Sequence, residues 1–241
     1  MKLLKKYGIF IYWGLLFIDV FLINFTSYRM YRVYTKPLLM ITLGVIFYIN
    51  TQKSKHWRSK TLVYGGMFFS WLSDLVFLFN DINDTKPGSL NDDIYLFISL
   101  SLLLIAFVFY TFLFRKMSIF NIKDCQEGFL AFLAMVIIGS IFYNVISKEE
   151  LTFFKPLIII GLLICTLLIV FASNVHHNKI RRNTAVQFLI PGSITLIIAM
   201  GIIVAHRFLL KEASFLPAVI ELTYGFGQML IVRGFSKFLK A

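Results

Sequence analysis

Charge is what this chain has least of. Asp, Glu, Lys and Arg make up 15% of its 241 residues, where a soluble domain carries about 25%. No polar stretch is long enough to be a separate soluble domain or a linker. Cysteine is nearly absent, with 2 in the chain, which excludes a disulfide framework. Cys125 is expected in a cytoplasmic loop and Cys165 inside a helix, so no bridge is expected. The 4 histidines show neither the HExxH spacing nor a Cys/His zinc set, which argues against a metal hydrolase. No metal and no cofactor is expected. A G-x-S-x-G elbow is missing, and Ser70 and Ser73 have no helix-borne His near them in sequence, so a Ser-His-Asp triad is unsupported. The formal net charge of +12 sits in short loops rather than in a basic arm, and reads as a topology signal instead of a nucleic-acid one. No small-residue cleavage site follows the first apolar run, as a signal peptide would require.

What is abundant is apolar sequence. Hydrophobic residues make up 59% of the chain and the mean hydropathy is +0.80. Apolar runs near the ~17–25 residues of a spanning helix recur along the whole length. The sequence predicts an all-α, polytopic integral membrane bundle of eight transmembrane helices, forming one domain over residues 1–241. The expected spans are residues 7–25, 33–49, 61–80, 94–114, 128–146, 156–173, 184–205 and 213–232. Pro37 and Pro156 are expected in first turns, where proline is tolerated. Pro191, inside span seven and followed by Gly192, should kink it. Lys36-Pro37-Leu38 and Lys155-Pro156-Leu157 open spans two and six, an echo that suggests a 4+4 duplication.

Lys and Arg are twice as frequent in the segments that share a side with both termini as in the others. The positive-inside rule then places both termini in the cytoplasm. In a double-membraned bacterium a helical bundle belongs to the inner membrane, since the outer one takes barrels. With that orientation Asp74 lies about 9 Å from the outer end of span three. Asp19 in span one, Glu221 in span eight and Lys36 at the start of span two fall at similar depth.

Ionisable groups inside a bilayer are expensive, roughly 2.5–3.5 kcal/mol for an Asp at a helix centre. Such a group needs a partner or a wet cavity. Asp74 is the strongest signal, with Ser70 one turn away on the same face and Ser73 beside it. Glu221, Tyr224, Gly225 and Gln228 make an i, i+3, i+4, i+7 stripe on span eight. Tyr and Gln in such stripes commonly join helices, but a buried Glu does not fit that use. Gly225 and Gly227 allow close backbone approach or room for a ligand. Lys36 can snorkel to headgroups or reach Asp74 or a lipid phosphate; its spacing favours snorkelling. Asp19 has no polar neighbour on its own helix face. Its partner must come from Arg29, Arg32 or Lys36, which reads as a buried ion pair. His176 and His177, among Lys179, Arg181 and Arg182, read as a solvated loop that meets anionic lipid.

The run Thr35-Lys36-Pro37-Leu38-Leu39-Met40, the stretch FSWLSD at Phe69–Asp74, and Tyr224, Gln228, Leu230, Ile231 and Gly234 resemble the YhhN/lysoplasmalogenase family over the whole chain. The resemblance implies eight spans and hydrolysis of the vinyl ether of a lysophospholipid-type lipid substrate. The products would be a fatty aldehyde and a glycerophospho-base. That chemistry needs an acid to protonate the vinyl carbon and a carboxylate to stabilise the cation or activate water. It implies Asp74 as acid/base, Lys36 as phosphate or carboxylate partner, and Tyr224 and Gln228 as positioning groups. Two departures stand out. The family's second Ser-Asp falls at Ala199-Met200, where no acid stands, and its span-four His is missing from Leu104–Val108. The family's activity therefore does not transfer to Met200. Glu221, on span eight, is the residue left to stand in for the missing acid. The other readings are a lipid-binding or regulatory homologue without turnover and, with fewer features in its favour, a small-solute transporter.

Overall fold

The computed structural model describes residues 2–82, 90–118, 126–146, 154–177, 182–210 and 213–240. They form eight long helices and, among the described residues, no strand. We label them α1 (Lys2–Asn24), α2 (Arg32–Thr51), α3 (Trp57–Ile82), α4 (Leu90–Met117), α5 (Gln126–Ile146), α6 (Lys155–Ser173), α7 (Arg182–Phe208) and α8 (Leu216–Phe238). Each covers most or all of one expected span. Six are long and apolar enough to cross a membrane, and α5 and α8 complete the bundle. Outward positions are apolar, for example Phe17, Tyr48, Phe129 and Leu163. This is the surface of a protein whose solvent is lipid. Cys165 is buried on α6; Cys125 lies outside the described residues.

Helix α8 is the axis of the arrangement. Its six consecutive residues from Gly227 to Val232 are all buried. That is more than one full turn, so protein surrounds the helix on every side. This explains why α8 is less apolar than its neighbours: a helix shielded from lipid can carry Glu221, Gln228 and Ser236. It packs on α1, α2 and α7, and its side chains reach α3 and α4. Three of its glycines make the packing possible. A Cβ on Gly225 would stand 2.6 Å from Leu16, one on Gly227 2.8 Å from Leu196, and one on Gly234 2.4 Å from Leu189. Close approach is thus what Gly225 and Gly227 provide. At Gly227 the Leu196 backbone nitrogen is also only 3.1 Å away, so the neighbour cannot simply turn aside. Gly227→Val is expected to cost about 1–3 kcal/mol through overpacking. A lowered melting midpoint in detergent, with Gly14→Val unchanged as the control, would show it; Gly14 faces open space.

One proline departs from expectation. A 3₁₀ turn over Thr26–Tyr31 leads directly into α2, which begins at Arg32. Pro37 is therefore interior to α2, not in its first turn. The consequence matters for Lys36, which moves one turn into the membrane and is buried. Pro191 does interrupt α7, and the interruption takes the form of a π-turn over Ala185–Leu189. A proline ring clashes with the carbonyl four residues earlier, here Gln187, and the wider turn at that point relieves the clash. Pro156 opens α6 as expected.

The helix neighbours α1–α2, α2–α3 and α3–α4 recur as α5–α6, α6–α7 and α7–α8, and α2–α8 recurs as α6–α4. The α1–α8 pair has no such counterpart between α5 and α4, so the echo of a 4+4 duplication is partial. The two Lys-Pro-Leu motifs differ in detail: Lys36 lies buried in the second turn of α2, whereas Lys155 is the partly exposed first residue of α6.

Candidate functional site

Asp19, Arg32, Lys36, Asp74 and Glu221 come from four helices and are all buried. They gather at the end of the bundle that carries the α1–α2, α3–α4 and α7–α8 connections. Arg32 is the hub. Its guanidinium donates to Asp19 Oδ2 at 3.2 Å, to Glu221 Oε2 at 3.3 Å and to Asp81 at the rim. Asp19 also accepts from Thr35 Oγ1 at 2.5 Å. The expected buried ion pair for Asp19 is therefore present, with Arg32 as its partner.

Lys36 does not snorkel. Its Nζ donates to Glu221 Oε2 at 2.9 Å and lies 5.9 Å from the centre of the Phe77 ring. Its carboxylate partner is Glu221, not Asp74. Both cations meet the same oxygen of Glu221, and no described residue bonds to Oε1. A buried charge is tolerable only when paired and hydrogen-bonded, and Glu221 meets that condition twice.

Asp74 is placed differently. Three buried acids (Asp19, Asp74, Glu221) face two buried cations, and the cations make their contacts to the other two. Among the described residues the polar partner of Asp74 is Tyr224, whose hydroxyl stands 3.5 Å from Oδ2. Lys36, Glu221, Asp19 and Arg32 all lie near enough to act on its charge. Lys36, Asp74, Glu221 and Tyr224 keep 6%, 6%, 5% and 7% exposure, while Asp19, Ser70 and Gln228 have none. Asp74, the Lys36–Glu221 pair and Tyr224 thus share what little exposure this part of the core has.

One turn deeper the polar groups continue. Gln228 Nε2 donates to Ser70 Oγ at 3.0 Å, and Tyr110 on α4 donates to Gln228 Oε1 at 2.8 Å. Ser73 turns the other way. Its hydroxyl donates to the Ser99 carbonyl on α4 at 2.8 Å and joins α3 to α4. Tyr12 donates to the Gly225 carbonyl at 2.7 Å, bringing a third tyrosine to this core. On the α7 side, Leu196 meets Gly227. The antiparallel register then sets Ala199 and Met200 level with Thr223 and Tyr224, and both are buried.

Of the residues singled out in the sequence, Lys36, Ser70, Asp74, Glu221, Tyr224 and Gln228 therefore converge, and Ser73 lies beside them facing α4. Arg32, Tyr110 and Tyr12 are central here, yet nothing in the pattern of residues ranks them so. Arg32 was legible only as one possible partner of Asp19. A tyrosine within an apolar run could have drawn attention, since a buried hydroxyl needs a partner. A second cluster stands at the same end: Arg207 on α7 donates to Asp92 at 2.6 Å and to Asp93, and Asn80 donates to Asp92 at 2.8 Å. It ties α7 to the start of α4. Among the described residues no group of His, Cys, Asp and Glu has the make-up of a metal site.

The model of the YhhN family matches residues 31–235. No curated protein and no solved structure matches the chain.

Proposed function

This chain belongs to the YhhN family, and from that premise we propose that it is a membrane-embedded hydrolase acting on the vinyl ether of a lysophospholipid. The single observation that supports this reading is Asp74, buried and without a direct ion pair, beside the Lys36–Glu221 pair. In the proposed reaction Asp74, in its acid form, delivers a proton to the vinyl carbon remote from oxygen. The carbon next to oxygen becomes an oxocarbenium centre. Glu221, ionised against Lys36 and Arg32, presents Oε1 to that charge. The Asp74 carboxylate then takes a proton from water as the water adds, and the hemiacetal collapses to aldehyde and glycerophospho-base. One water is consumed, and Asp74 ends as it began. Tyr224 and Gln228 position Asp74 and Ser70. Lys36 is the cation nearest to a bound phosphate. The site then opens toward the extracytoplasmic half of the membrane, with both termini in the cytoplasm.

One specific observation favours a second reading, binding without turnover: α7 brings only Ala199 and Met200 to the level of Tyr224, where the family resemblance calls for an acid. Purified protein in liposomes containing a lysoplasmalogen separates the two. The hydrolase reading predicts free aldehyde and glycerophospho-base in equal amounts, and a Glu221→Gln variant that is slower but less impaired than Asp74→Asn. Saturable retention of intact lysolipid, with no aldehyde, would transfer the assignment to the binding protein.

A further inference from the structure

At the end of the bundle that carries both termini, carboxylates are scarce. Among the described residues Glu127 is the one acid there, and it faces His177 at 3.7 Å. Arg233 and Lys237 stand four residues apart at the end of α8, on one face of the helix. Two like charges so placed repel each other. Neither has an ion pair or a hydrogen bond with a described residue.

What gathers them is a ring. The guanidinium carbon of Arg233 lies 5.1 Å from the centre of Phe188, and Lys237 Nζ lies 4.2 Å from it. Each contact is a cation–π attraction, but a neutral ring leaves both charges uncompensated. Phe188 is held where it is. It belongs to the π-turn Ala185–Leu189 of α7, a type of turn frequent at functional sites. The turn seats on Gly234, where a Cβ would stand 2.4 Å from Leu189 and 3.0 Å from the Phe188 Cβ. Phe188 and Arg233 are half-buried and Lys237 is exposed, so the ring and both charges are presented at the edge of the bundle.

The partner this arrangement lacks is an anion with oxygens on several sides. A phosphate fits, with the Arg233 fork and the Lys237 point charge as its donors. The location selects a lipid phosphate over a free ion. Lys237 lies in the last turn of α8, where headgroups are met. Val186 and Ile194, within two turns of Phe188 on α7, are apolar and 50% and 44% exposed, which gives acyl chains a surface beside the charges. A zwitterionic headgroup would bring a further cation to a place that already has two unpaired. We propose that Phe188, Arg233 and Lys237 form a docking site for the phosphate of an anionic phospholipid, in the leaflet on the side of the two termini. The site is separate from the buried acids and does not depend on the hydrolase reading.

The test gives the full chain, purified in detergent, equal amounts of phosphatidylglycerol and phosphatidylcholine, and reads retained lipid by native mass spectrometry. The site predicts that phosphatidylglycerol is kept in preference. Arg233→Gln and Lys237→Gln should each lower its affinity roughly fivefold, and the double variant about 30-fold. Phe188→Leu should also lower it, although both charges remain. The control is Lys53→Gln with Lys55→Gln, which removes the same charge from the same end, since Lys240 reaches Asn50 at the end of α2; it should leave retention unchanged. Lys237 is exposed, so Lys237→Gln serves if Arg233→Gln does not fold. Equal retention of the two lipids by the wild type, or an equal loss in the Lys53/Lys55 control, would overturn the proposal. So would displacement of the lipid by inorganic phosphate, which would make this a site for a free anion.

Discussion

Asp74→Asn is expected to reduce kcat for aldehyde release by about 10²–10⁴-fold, the usual worth of a positioned general acid. Asparagine keeps the size of the side chain and can still accept from Tyr224 at its amide oxygen. It cannot deliver a proton to carbon or recover one from water. Folding should survive. No cation depends on Asp74 for its partner, because Arg32 and Lys36 are held by Asp19, Asp81 and Glu221. Asparagine is neutral, as the acid form of Asp74 is, so the charge balance of the resting site is unchanged. The informative comparison is thus activity against melting midpoint in one preparation: activity collapses and the midpoint holds or rises. A variant that loses both together would show Asp74 to be a structural carboxyl.

The largest effect on stability is expected at Arg32. Arg32→Met removes the cation shared by Asp19 and Glu221 and leaves Asp19, which is fully buried, with only the Thr35 hydroxyl. Breaking a buried pair from one side costs about 3–5 kcal/mol, because the remaining charge is stranded. At roughly 2–4 °C per kcal/mol for a chain of this size, the midpoint in detergent should fall on the order of 10 °C. Methionine retains much of the side-chain volume, so little of the loss comes from a void. The double variant Arg32→Met with Asp19→Asn should recover a substantial part of it, since the stranded carboxylate is gone. Lys36→Met should cost less, as Glu221 would still be paired to Arg32. Equal losses for Arg32→Met and Lys36→Met, with no recovery in the double variant, would contradict the hub role.

How far the sequence could be read follows from what apolar sequence encodes. Length and hydropathy locate the helices, and all eight stand where the apolar runs are. Hydropathy does not say which face looks inward, because lipid and protein core are both apolar. Inward faces become visible only where a polar residue breaks the run. That is why Asp74, Glu221, Tyr224 and Gln228 were legible and the tight packing of α3 on α4 was not. Lys36 departs from the snorkelling expectation because its apolar run alone starts α2 at residue 33 and puts Lys36 in the first turn. The helix in fact starts at Arg32, continuous with the 3₁₀ turn, and draws Lys36 inside. The same apolar run leaves Arg32 just outside the expected span of residues 33–49. Met200 remains the point at which the family pattern and this chain differ. The register of α7 on α8 brings that apolar residue to the level of the site instead of moving it elsewhere.

The central claim is that Asp74 moves a proton onto carbon inside a site shared by α2, α3 and α8. Its most direct test is to incubate the reconstituted protein with a lysoplasmalogen in heavy water and trap the aldehyde as it forms for mass spectrometry. The account predicts one solvent deuteron on the carbon beside the aldehyde carbon, at a rate that Asp74→Asn abolishes. Intact lysolipid after prolonged incubation, or aldehyde lacking that deuteron, would contradict it.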